Sequence, residues 1–211
     1  MLNERNAIGL ETSADAFELA SLAMTYPDRR FAAAVADGTF AQAWSRAIRQ
    51  VLGENATEAG AIAGSAFPHK SPDDIFHQLR CSYTNTFLNM PRPKVSPYES
   101  AWTSDDKALL YANDTCRTVR ECYRAHGMEP EALHEPADHI AYELGFFSLL
   151  VKSGEVGGAK RFWQDHLGLW LERLCAAVIA RDEPFYAPLF RDLSEVAASV
   201  NESLEPKGAR S

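Results

Sequence analysis

The sequence predicts an all-α, single-domain bundle of about eight or more helices. Three observations carry this. Apolar residues recur at i, i+3 and i+4 along most of the chain; glycines, prolines and capping residues punctuate those runs; and no stretch alternates as a strand would. With 211 residues, 46% of them apolar, one core can be filled.

Leu10, Phe17, Ala20 and Met24 mark a first helix, with Thr12 or Ser13 as N-cap and Pro27 beyond its end. A short helix over 29–36 stops before Gly38. Phe40, Ala43, Trp44, Ala47, Ile48 and Val51 form an apolar stripe closed by Gly53. The Ala-, Gly-, Ser- and Thr-rich stretch 54–70 reads as a mobile connector. Ser71-Pro72-Asp73-Asp74 is a helix start, with a capping hydroxyl, proline at the first helical position and acids in the first turn. Its stripe is Ile75, Leu79, Tyr83 and Phe87. Pro91, Pro93 and Pro97 interrupt 88–102, a loop of a length that is often functional. Thr103–Asp106 restarts a helix carrying Ala108, Leu109, Ala112, Cys116, Val119 and Tyr123 and ending at Gly127. Pro136 opens the next, with Ile140, Leu144, Phe147 and Val151 facing the core. A long helical pattern covers about 157–180, and a last helix 185–203.

Charge narrows the partners. Twenty-one basic and 29 acidic residues give a net −8, and residues 104–211 alone carry 12 against 18. This excludes a sequence-independent grip on nucleic acid or on an anionic membrane surface. The stretch Glu121–Glu143 holds six acids and one arginine, and would draw a cationic partner. The longest apolar run, Leu144–Val151, is far short of the roughly 20 residues of a spanning helix. The N-terminus has neither the basic nor the apolar region of an export signal. Cys81, Cys116, Cys122 and Cys175 show no C-x-x-C spacing and suit reduced thiols. The expectation is a cytoplasmic protein.

No motif of catalysis is present. His139 and Glu143 stand four apart with Asp138 beside them, a partial ligand set without a third member, so no metal is expected. Phosphate-loop, dinucleotide and nucleophile-elbow spacings are missing, and no cofactor is expected. Asp138 has two readings. In one it is a first-turn acid serving free N–H groups. In the other, Glu135, Asp138, His139, Tyr142 and Glu143 form an acidic cluster on adjoining helical ridges, facing away from the core and suited to guanidinium groups.

The string Glu135-Pro136-Ala137-Asp138-His139-Ile140-Ala141-Tyr142-Glu143-Leu144 resembles the E-P-x-D-H-x-x-x-E-L motif of the TorD/DmsD family. Tyr83-x-x-x-Phe87 followed by Pro97-Tyr98-Glu99-Ser100 is similar to that family's second motif. Phe162-x-x-x-His166-Leu167-x-x-Trp170 is like its penultimate helix, and Tyr186-x-x-Leu189 suits the start of its last one. Leu88-Asn89-Met90, where the family often has glycine, and Trp102, where a smaller residue or tyrosine is usual, are departures within the loop. They bear on the identity of the client.

The resemblance implies a cytoplasmic chaperone, not an enzyme. Its partners would be the twin-arginine signal peptide and the catalytic subunit of a molybdopterin oxidoreductase, as a monomer or a domain-swapped dimer. Glu135, Pro136, Asp138, His139, Tyr142 and Glu143 would meet the arginines, with Tyr83, Phe87, Pro97, Tyr98, Glu99, Ser100 and Trp102 around an apolar groove. Tyr98 and Trp102 are either loop anchors for the peptide or, for Trp102, a core plug with Glu99 capping a helix near Ser104. Rival expectations are a NarJ-type chaperone for a subunit that is not exported, and a nucleotide-hydrolysing enzyme, against which the missing phosphate loop counts.

Overall fold

The computed structural model describes residues 4–53, 67, 70–88, 93–103, 114–129 and 134–204. Ten α-helices are found among them: α1 Glu4–Ala23, α2 Arg29–Ala36, α3 Thr39–Leu52, α4 Pro72–Tyr83, α5 Ser100–Thr103, α6 Asp114–Ala125, α7 Ile140–Lys152, α8 Val156–Asp165, α9 Leu171–Ile179 and α10 Tyr186–Leu204. No strand occurs among the described residues, so the all-α expectation holds. Most of the connector over 54–70, the loop residues 89–92 and the expected helical stretch 104–113 lie outside the described residues.

Helix α1 is the central packing element. It lies against α7, α10 and α3, and it buries Leu10, Ala14, Phe17 and Ala20 completely or nearly so, with Met24 buried just past its end. Small residues bring it close to α7. The Ser21 hydroxyl donates to the Ala141 carbonyl at 2.6 Å, and the Ser148 hydroxyl to that of Ala14 at 2.8 Å. Helix α1 starts well before the expected caps. Thr12 and Ser13 sit inside it, their hydroxyls donating to the carbonyls of Gly9 and Leu10 three residues back. That is the alternative open to these side chains when a helix continues past them.

Side chains close the starts of α2 and α4. Asp28 caps α2, accepting from the Phe31 amide. Ser71 and Asp74 form a reciprocal capping box with Pro72 at the first position of α4. Helix α4 does not stop at Tyr83 but widens into a π turn, Thr84–Leu88. There the Thr86 carbonyl accepts from the Val95 amide at 3.0 Å, tethering the proline-rich segment.

The expected single pattern over 157–180 is divided. His166 and Trp170 leave helical backbone geometry, with φ of −136° and −135°, on either side of a short 3₁₀ turn, Leu167–Leu169. The break turns two large polar-tipped side chains into the interior. It also sets a tight approach: a Cβ on Gly168 would stand 2.6 Å from the Trp163 carbonyl oxygen, a distance that real atoms do not adopt.

Two glycine substitutions should therefore move stability in opposite directions. Gly168→Ala meets backbone and should cost about 1–3 kcal/mol. Gly157→Ala, in the first turn of α8 with open space around it, should gain roughly 0.4–1 kcal/mol. Urea unfolding of both variants checks this.

Candidate functional site

The site is organised by a two-residue antiparallel bridge between distant stretches of chain. The Glu99 amide donates to the Asp138 carbonyl at 2.9 Å, and the Ile140 amide to the Pro97 carbonyl at 2.8 Å, with Tyr98 facing His139. The Asp138 carboxylate completes the clasp by accepting from the Ser100 amide at 3.1 Å, at the start of α5. The loop expected over 88–103 is thus tied down at its far end.

The bridge also settles where α7 begins. Pro136 is buried and precedes a turn; the helix starts four residues later than expected, with His139 as N-cap. All the first amides are satisfied. Ile140 bonds to Pro97, Ala141 donates to the His139 ring Nδ1 at 3.2 Å, and Tyr142 and Glu143 donate to the His139 carbonyl. Because Nδ1 accepts, Nε2 carries the proton and donates to the Tyr83 hydroxyl oxygen at 3.3 Å. The Tyr83 hydroxyl in turn donates to the Met24 carbonyl at 3.1 Å. Burial pushes His139 down to about 4, so the ring is neutral at physiological pH.

Around this relay lies a hollow of about 450 Å³, lined by Thr25, Tyr26, Tyr83, Leu88, His134, Glu135, His139, Ala141 and Tyr142. Four of the expected site residues, Tyr83, Glu135, His139 and Tyr142, meet there. Tyr98 stands behind them, its ring edge-on to His139 and its hydroxyl donating to Glu135 at 2.9 Å. The Tyr142 hydroxyl accepts from the amides of His134 and Glu135 and so holds the acidic rim in place. Sequence reasoning missed Tyr26 and Leu88, which are 43% and 41% exposed. The available signal was that Tyr26, next to Pro27, falls outside the α1 apolar register.

Of the expected acidic cluster, Glu135 is exposed, but the other two acids do not face away from the core. Asp138 and Glu143 are fully buried, and Glu99 and Ser100 nearly so. The reason is a set of interior partners supplied by the break between α8 and α9. Trp170 Nε1 donates to Glu143 at 3.0 Å, and His166 Nδ1 lies 3.1 Å from Glu99. Burial and the adjacent Glu99 charge raise Glu143 well above the usual carboxylate range. Burial works against a charge on His166, but hydrogen bonds with Cys122 and Glu99 outweigh it and raise the ring to about 9. Glu99 is therefore half of an interior ion pair; the helix start near Ser104 that it was expected to cap lies outside the described residues. Phe87 packs between Tyr83 and Tyr186 in the core, and Pro97 is buried. Trp102 is half-buried beside Trp170, donates to the Ser96 carbonyl and does not line the hollow. Among the described residues, no group of three or more His, Cys, Asp or Glu side chains could hold a metal ion.

The two histidines should give stability two opposite pH limbs. His139, lowered in the folded state, binds fewer protons there than when unfolded, so stability falls as pH drops from about 6.5 towards 4. His166, raised in the folded state, stabilises fully below about 6.5 and loses that contribution as pH climbs through 9. Urea unfolding from pH 4 to 9 should show both limbs. His139→Gln should flatten the acid limb and His166→Gln the alkaline one.

Comparison with known proteins agrees with this architecture. Residues 39–176 match the family described as nitrate reductase delta subunit. A chaperone protein TorD of Vibrio cholerae is 36% identical over 77 residues, 36% of this chain and 34% of that protein. One from Shewanella oneidensis is 25% identical over 122 residues, 56% of each. The matched stretches thus span about a third to a little over half of these curated relatives. A solved structure described as a redox enzyme maturation protein of Archaeoglobus fulgidus superposes with a TM-score of 0.56 at 21% identity, over 86% of this chain and 91% of that one, which shows a common fold. The family is one of maturation chaperones rather than of enzymes. With well over half of its length matched, the chain belongs to the nitrate reductase delta subunit family, the TorD/NarJ group.

Proposed function

We propose that the protein is a cytoplasmic chaperone that binds the twin-arginine leader, and the apo form, of a molybdopterin-containing oxidoreductase, delaying export until the cofactor is in place. The observation that carries this reading is the hollow itself. Residues of the E-P-x-D-H motif line it together with an exposed tyrosine and an exposed leucine, so an acidic rim and an apolar floor adjoin. A leader combines the complementary parts, two arginines and an apolar segment able to form a helix.

The two parts contribute unequally. Exposed ion pairs are each worth roughly 0.2–1 kcal/mol, whereas apolar burial contributes about 25 cal/mol per Å². Most affinity then comes from the leader's apolar face on Tyr26, Tyr83 and Leu88. Glu135 sets orientation and the rate of arrival. Asp138, Glu143, Glu99 and Ser100 act indirectly, by holding His139 and Glu135 where the peptide meets them.

Calorimetric titration with a leader peptide tests the assignment. Tyr26→Ala and Leu88→Ala should each weaken binding about tenfold, or roughly 1.4 kcal/mol, with little change in melting temperature, since neither side chain belongs to the buried core. Asp138→Ala should instead destabilise the fold by about 1–3 kcal/mol, because a buried amide loses its acceptor. Raising the salt concentration should slow association more than it speeds dissociation. Full affinity in both surface variants would place the leader elsewhere. Equal affinity for a peptide lacking the arginine pair would favour a client that is not exported.

A further inference from the structure

Tyr26 is shared between the hollow described above and a second one of about 330 Å³, whose lining includes Phe76, His77 and Arg80. The Tyr26 ring stands edge-on to Tyr83, with centroids 5.4 Å apart, and the Arg80 guanidinium lies 4.6 Å over its face. Arg80 is also 5.2 Å from the Phe76 ring, so its fork is held by two aromatic faces at an exposed position. The two hollows differ in charge. Among the described lining residues, Glu135 is the one carboxylate of the first, while the second carries Arg80 and His77 and no carboxylate.

We propose that the two hollows form one groove that accepts a helical peptide in a single direction, its basic N-terminal end at Glu135 and its C-terminal end at Arg80. This rests on the reading that the first hollow holds a leader, and adds the polarity. A helix carries partial positive charge at its N-terminus and, at its C-terminus, carbonyls without intrahelical partners and partial negative charge. Two arginines at the N-terminal end reinforce the match to Glu135. The last carbonyls match a guanidinium with five donors, stacked and therefore pre-oriented. A reversed peptide would set positive on positive at Arg80. The apolar face of the helix passes over Tyr26, the wall common to both hollows.

A charge-swap titration tests the direction. The probes are two synthetic peptides, each with two consecutive arginines followed by an apolar helical segment, one ending in Glu and the other in Lys. Each is titrated into the full-length chain and into Arg80→Glu, whose exposed position leaves the fold intact, as a melt will verify. The unaltered chain should bind the Glu-ended peptide about two- to fivefold tighter, and Arg80→Glu should reverse the preference. A benzophenone at the C-terminal end of the peptide should cross-link to residues 76–85. Equal affinities in both proteins, or C-terminal cross-links to residues 134–142, would overturn the polarity and leave the leader reading standing. Failure of both peptides to bind the unaltered chain would remove both.

Discussion

Two backbone hydrogen bonds, Glu99 to Asp138 and Ile140 to Pro97, are the constraint on which the site depends. They join a proline-interrupted segment to the start of α7 and thereby decide three things together. The first is which residue caps the helix, the second is which way the loop side chains point, and the third is where Glu135 stands. The amide of Ile140 would be without an intrahelical partner at any helix start, so the loop supplies a group the helix lacks. In return, the Asp138 carboxylate supplies an acceptor for Ser100, where α5 begins. Loop and helix each complete the other's hydrogen bonding.

Beneath that clasp lies an interior polar layer of Glu99, His166, Glu143 and Trp170. Glu99 is compensated by a charged His166, and Glu143, whose carboxyl burial pushes towards the neutral form, accepts from Trp170. A buried ion pair is weak evidence for stability as such, because desolvation consumes much of the attraction. What it provides here is placement. Removing one partner would leave a bare charge, a cost of about 3–5 kcal/mol, so competing arrangements of the loop are disfavoured. The break at His166 and Trp170 flanks the short 3₁₀ turn from which both rings reach the two carboxylates.

Much of this was legible from residue order. The capping box at Ser71, the stop at Gly53 and the apolar stripes of α3, α4 and α7 are local, and local rules describe them. The string around Asp138 was also legible as a site, yet its orientation was not. Helical spacing from Pro136 places Asp138 and Glu143 on an exposed ridge, but Asp138 precedes the helix, and its carbonyl and carboxylate are claimed by residues 99 and 100. Nothing within a few residues of Asp138 announces those partners, nor the histidine 28 positions beyond that aligns with Glu99. The same holds for Tyr26, whose role follows from lying beside Tyr83 and Arg80 on a helix far along the chain. Short-range chemistry was readable; pairings across the fold were not.

The π turn at Thr84–Leu88 has a consequence for how such a protein can diverge. A π turn is an α-helix with one residue too many, and it persists because neighbouring structure uses the carbonyl and side chains it displaces. Here those are the Thr86 carbonyl, bonded to Val95, and Leu88, carried to the lip of the hollow. Loss of a single codon in this stretch would restore an ordinary helix, withdraw Leu88 and free the segment that Val95 anchors. A gain would do the reverse. The depth of the groove is therefore adjustable in one genetic step at the turn, a short route by which duplicated copies could come to serve different clients.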